Sequence, residues 1–235
     1  MASLHFSSWL FLVFMAFGLP YGAVTTARRT RSAEGPAQIA SRSQLHLNAI
    51  ATHLLIFGIA WYAALLQGLR FLGPVHLTAR DYLAGGVALA LMGGMAWVSQ
   101  RMRSEDERQR MWVLGFLPRS LREGVPFTML AATGAVSEEL AYRGVTFALF
   151  TMLTGSAIAG ALIAAVLFAA AHFPQGGKSM AVIFAIALVK QELVVFTGTL
   201  WVAIGVHFTY NLLTAVGMAR QAREFGAPPA RPPRD

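Results

Sequence analysis

Residues 125–153 read VPFTMLAATGAVSEELAYRGVTFALFTML, an apolar run long enough to cross a bilayer as a helix. Its charges are Glu138, Glu139 and Arg143, set in the middle of the run. Charges at that depth are costly, so each needs a partner or a job. On a helix Glu139 and Arg143 lie one turn apart on one face, in the favourable acid-before-base order. Glu138 points about 100° away from Glu139, so the adjacent carboxylates can serve two roles. A plain structural ion pair that locks helices together is the simpler alternative.

The rest of the chain fits that setting. It has 235 residues, 56% of them hydrophobic and 13% charged, where soluble domains carry about 25% charged residues. Continuous rather than alternating apolar runs exclude a barrel and predict an all-α, polytopic helical bundle. The net charge of +8 suggests nucleic acid at first sight. Its arginines, however, sit between apolar runs, where a membrane protein uses them for orientation, so no nucleic-acid partner is expected. There is no cysteine, which removes disulfides, thiolate nucleophiles and cysteine metal sites.

Seven spans are predicted. The first, residues 6–24, has no positive charge before it and is read as a retained helix rather than a cleaved leader. Residues 25–44 form a basic loop. Residues 45–69 form the second span, in which His53 is expected to be a packed core histidine. Residues 82–99 form the third, with Gly85-Gly86 and Gly93-Gly94 allowing close helix approach. Residues 100–123 are charged and hold a short apolar patch, Trp112 to Leu117, expected at the membrane interface. The fourth span carries Glu138, and the fifth is residues 156–172. The sixth, residues 179–196, is interrupted by Lys190-Gln191-Glu192, and the seventh is residues 200–217. With the N-terminus outside, fifteen basic residues fall in inner segments against Arg70 and Arg80 outside. The tail from residue 219 is basic, proline-rich and expected to be disordered.

Three polar clusters punctuate the last four spans. They are Glu138-Glu139-x-x-x-Arg143, Phe168-x-x-x-His172 and His207-x-x-x-Asn211. In this order on successive membrane helices they resemble the signature of the CPBP (Abi) family of intramembrane proteases, which includes the type II CAAX prenyl endopeptidases. The likeness covers roughly residues 125–213, and Thr197-Gly198-Thr199-Leu200-Trp201 resembles the family as well. It implies a bundle whose last four helices enclose a polar, intramembrane catalytic core. It also implies hydrolysis by a carboxylate-activated water, with Glu138 as base and His172 helping to hold that water. Glu139 would pair with Arg143, while His207 and Asn211 would donate to the oxyanion. Phe168, Tyr142 and Lys190 are expected at the cavity wall. Spacing alone does not choose between the two glutamates.

The residues agree with that chemistry. No Gly-x-Ser-x-Gly, no His-Glu-x-x-His and no cysteine frames another kind of protease. A carboxylate in a low-dielectric cavity is a competent base for water. Zinc held by His172, His207 and a glutamate is the rival arrangement, against which Asn211 speaks as a poor zinc ligand. No cofactor is otherwise expected. Lys190 and Glu192 depart from the apolar pattern. They are read as snorkelling side chains at a helix end, or Lys190 as a group at the cavity mouth meeting a substrate carboxylate.

The chain thus divides into N-terminal helices and basic segments (1–123), a protease-like core (124–218) and a tail (219–235). The expected partners are the lipid bilayer and a membrane-embedded or lipid-modified peptide or protein substrate. The Ala-, Gly- and Arg-rich composition suggests a bacterial inner membrane. A non-catalytic scaffold or immunity-type protein on the same helices is the second reading. A proton-coupled carrier is the third, weakened because the polar groups occupy only the C-terminal half.

Overall fold

A computed structural model of the chain describes residues 3–31, 42–109, 114, 116–118 and 120–224. These residues form helices and short connections, with no strand among them. Long apolar segments adopt this form because a helix satisfies every backbone group within itself, without water.

The helices stack into seven rods. The first runs from α1 (Phe6–Val13) through a π-helical turn (Phe14–Gly18) into α2 (Leu19–Arg31). Next come α3 (Arg42–Gln67), α4 (Ala79–Arg101) and the short α5 (Glu105–Gln109), which is not a rod of its own. The fourth rod joins α6 (Leu121–Glu138), a π-helical segment (Glu139–Thr146) and α7 (Phe147–Thr154) end to end. The last three are α8 (Ala157–Ala171), α9 (Gly177–Thr197) and α10 (Leu200–Glu224). Five of the rods are long and apolar enough to cross a membrane: Phe6–Arg28, Ser43–Gln67, Ala79–Arg101, Gly177–Thr197 and Leu200–Arg220. Phe17, Tyr21, Leu83 and Ile158 point outward on three rods, each at least 70% exposed, as lipid-facing side chains do. The protein is a multi-pass membrane bundle.

Local chemistry sets the breaks between rods. Thr78 and Asp81 form a capping box that starts α4, and Ser120 and Ser156 cap α6 and α8 through their hydroxyls. Gly198 ends α9 at φ 67°, a left-handed conformation that glycine adopts without a Cβ penalty. Thr199 then donates to the Leu72 and Pro74 carbonyls at 2.9 and 3.0 Å, tying this turn to the loop after α3. Gly160 lets α8 lie directly on α7, since a Cβ there would stand 2.9 Å from the Phe147 carbonyl.

Three boundaries differ from expectation. The basic loop begins after Arg31, because 23–31 holds no Gly or Pro and the Thr25 hydroxyl folds back onto the Gly22 carbonyl at 2.9 Å. Residues 32–41 of that loop lie outside the described residues. The sixth span is one unbroken helix, Gly177–Thr197, because Lys190 finds ion partners inside the bundle. The seventh continues to Glu224, so the tail as described starts later, and 225–235 lie outside the described residues. Much of the apolar patch at 112–117 is outside them too. Its end packs onto the bundle: Leu117 is buried, and the Phe116 carbonyl accepts a 2.8 Å hydrogen bond from the buried His46.

Two apolar nuclei hold the rods together. In one, Phe11 and Met15 of the first rod and Ile56 and Ala60 of α3 meet Leu140, Tyr142, Leu149, Phe168 and Ala187. The other joins α4, α9 and α10 through Met92, Ile186, Leu193 and Val206. The first rod and α3 therefore pack into the same core as the motif-bearing helices.

Candidate active site

The site begins at the π-helical segment, whose eight residues are all buried. Such wide turns usually mark a functional place, since their poorer hydrogen bonding must be offset by tertiary contacts. Here the contacts are ionic. Glu139 Oε1 accepts from Lys190 Nζ and from His207 Nδ1, each at 2.6 Å, and Oε2 lies 3.4 Å from Arg143 Nε. The Glu139 side chain is completely buried, so three polar partners replace its water.

Glu138, one residue earlier at the end of α6, has different surroundings. Its side chain keeps 16% exposure and faces imidazoles instead of guanidinium or ammonium groups. Oε2 lies 3.7 Å from His207 Nε2, and Oε1 lies 3.9 Å from His53 Nε2. Both separations exceed a hydrogen bond, which leaves its lone pairs to other donors.

Phe168 organises the neighbouring side chains. Arg143 and Lys190 stand over its ring at 4.3 and 4.9 Å, while Tyr142 meets it edge-on with centroids 4.9 Å apart. One turn further along, His172 caps α8 and donates from Nδ1 to the Phe168 carbonyl at 2.7 Å. That bond fixes the proton on Nδ1 and leaves Nε2 as the free nitrogen. The Phe-x-x-x-His spacing thus couples a platform for two cations to an oriented imidazole.

A cavity of about 530 Å³ connects these pieces. Glu138, Tyr142, His172 and Asn211 line it, so the helix-end histidine and the mid-helix glutamate open into one space. His207 stands a turn before Asn211 on α10, between Glu139 and Glu138. The wall is completed by Gly18, Gly22 and Thr26 of the first rod and by Thr52 and His53 of α3.

Three sequence expectations need correction. Lys190 is neither at a helix end nor at a cavity mouth. It is 1% exposed at mid-helix, held there by Glu139, and the salt bridge removes the need to snorkel. Phe168 is likewise buried behind the wall rather than on it, because its ring faces carry the two cations. His53, expected as a packed core residue, instead lines the cavity and pairs its Nδ1 with Ser137 Oγ at 3.0 Å. A histidine within an apolar span was the signal for it, but its partners lie more than eighty positions away, beyond any spacing rule.

Among the described residues no group of three His, Asp or Glu side chains is disposed to hold a metal ion. His207 and His172 are each bonded through Nδ1, to Glu139 and to the Phe168 carbonyl, which leaves both Nε2 atoms unspent.

Residues 121–213 match the family model described as type II CAAX prenyl endopeptidase, Rce1-like, a span that includes every motif residue from Glu138 to Asn211. No curated protein and no solved structure matches the chain.

Proposed function

From a chain that belongs, over residues 121–213, to the CPBP/CAAX protease family, we propose an intramembrane endopeptidase in which Glu138 activates the attacking water. One observation carries this reading. Of two adjacent glutamates, Glu139 is buried and engaged by Lys190, His207 and Arg143, whereas Glu138 faces the cavity with no hydrogen bond to the protein.

In this mechanism a water molecule sits between Glu138 and the Nε2 of His172. Its oxygen bonds to the scissile carbonyl carbon as its proton passes to Glu138. Charge then develops on the carbonyl oxygen, and the Asn211 side-chain amide, on the same wall, supplies a donor for it. As the C–N bond breaks, Glu138 returns the proton to the leaving nitrogen, which restores the carboxylate. Neither metal nor covalent acyl intermediate is required. The substrate is a membrane-associated peptide or protein, embedded or lipid-modified, entering a cavity lined largely by apolar side chains. Composition points to a bacterial cell membrane as its setting.

The test compares peptide termini in membranes from cells expressing the intact chain or Glu138→Ala at matched levels. Termini that vanish with the variant support the reading, and identical sets overturn it in favour of a non-catalytic scaffold. Cleavage abolished by a chelator and restored by zinc would overturn the metal-free step.

A further inference from the structure

His53 lies on α3, outside residues 121–213 and outside all three motifs. Its side chain is 18% exposed and lines the cavity with Glu138, Tyr142, His172 and Asn211. Packing alone does not explain an imidazole there, because its two nitrogens are costly to take out of water.

α6 meets the ring at three places. Ser137 Oγ lies 3.0 Å from Nδ1, and Glu138 Oε1 lies 3.9 Å from Nε2. At Gly134 a Cβ would stand 3.5 Å from Nε2, 3.6 Å from Cε1 and 3.8 Å from Cδ2, so the ring covers the place where a side chain at 134 would extend. Gly134 and Glu138 are four residues apart, one above the other on a single face of α6. A helical side chain leans toward the N-terminus and covers the preceding turn. For Glu138 that turn is bare helix at Gly134, which would leave room for the carboxylate to lie back along α6. The imidazole fills that room. On the other side His207 Nε2 stands 3.7 Å from Oε2, so rings from α3 and α10 bracket the carboxylate.

We propose that His53 is a positioning residue for Glu138. Its ring blocks the turn before the glutamate, and its Nε2 edge keeps Oε1 turned out from α6 into the cavity. This rests on the reading of Glu138 as base, which must be held in place for its water to attack. The role depends on where the ring sits and gives His53 no proton-transfer step. The competing use of the ring is a strut between α3 and α6, carried by the Nδ1 contact with Ser137 alone.

The test compares His53→Asn and His53→Gln in the full chain. The Asn amide reaches the place of Nδ1 and keeps a partner for Ser137, whereas the Gln amide reaches the place of Nε2 and keeps a polar edge beside Glu138. Positioning predicts product termini lowered ~100-fold in His53→Asn, the scale of a misplaced catalytic group, and held within ~10-fold of the intact chain in His53→Gln. A strut predicts the reverse order, with a lowered unfolding transition in His53→Gln. In parallel, the Glu138 carboxyl resonance is followed in detergent with ¹³C-carboxyl glutamate, and Glu138→Gln assigns it. The resonance should shift in His53→Asn and stay nearer its place in His53→Gln. An unmoved resonance or undiminished termini in His53→Asn overturns the proposal, as does a His53→Gln variant no more active than His53→Asn. If neither variant folds, the ring is a strut and the proposal falls. The resonance reads the placement of Glu138 whether or not peptides are cut, so failure of the protease reading shows separately, as unchanged termini in Glu138→Ala.

Discussion

Two glutamates adjacent in sequence have different surroundings, and the proposed roles follow from that difference. Glu139 meets Arg143, Lys190 and His207 with no exposure, while Glu138 borders the cavity and meets only imidazoles. Removing Arg143 strands the Glu139 carboxylate on one side. Arg143→Ala is therefore expected to cost about 3–5 kcal/mol, read as a lowered unfolding transition of the purified protein in detergent. An unchanged transition would contradict the ion-pair role. At this scale the sequence was readable only within one turn of helix. The Glu139–Arg143 spacing announces their pairing, and His207 and Asn211 announce a shared face. Lys190 meets Glu139 across 51 positions and His53 meets Ser137 across 84. No local period encodes such contacts, so Lys190 looked like an interfacial charge.

Among the elements, helix existence followed from apolar run length, since lipid leaves the backbone no other partner. The π-helical segment did not follow. Residues 139–146 carry no signal against an ordinary helix, and the wide turn is sustained by partners on α9 and α10. The unbroken α9 has the same cause, because a charge that would end a lipid-facing helix is tolerated where another rod neutralises it. The fifth span packs closely at Gly160, where the Phe147 carbonyl lies directly opposite. Gly160→Leu should push α8 from α7 and destabilise the protein by about 1–3 kcal/mol. A variant as stable as the original would mean that α7 and α8 separate freely.

For the whole molecule, the motif-bearing half and the N-terminal half share one cavity. Residues of the first rod and of α3 line the same cavity as Glu138, His172 and Asn211. A division at residue 123 therefore separates sequence signals, whereas the packed core runs across it. Gly22 gives a clean test, since it lines the cavity and a Cβ there meets nothing within 4 Å. Gly22→Phe should fill space without disturbing packing, cutting product termini by ~10-fold or more while the unfolding transition holds, in line with steric loss of a bound substrate. Normal cleavage would place the substrate elsewhere. The central claim is the division of labour between the paired carboxylates, and one paired measurement reaches it. Cleavage and unfolding are recorded side by side for Glu138→Gln and Glu139→Gln. Glu138→Gln is expected to abolish product termini and leave the unfolding transition in place, while Glu139→Gln lowers the transition by stranding two buried cations. A Glu138→Gln variant that still cleaves at the original rate would contradict the assignment of Glu138 as the base.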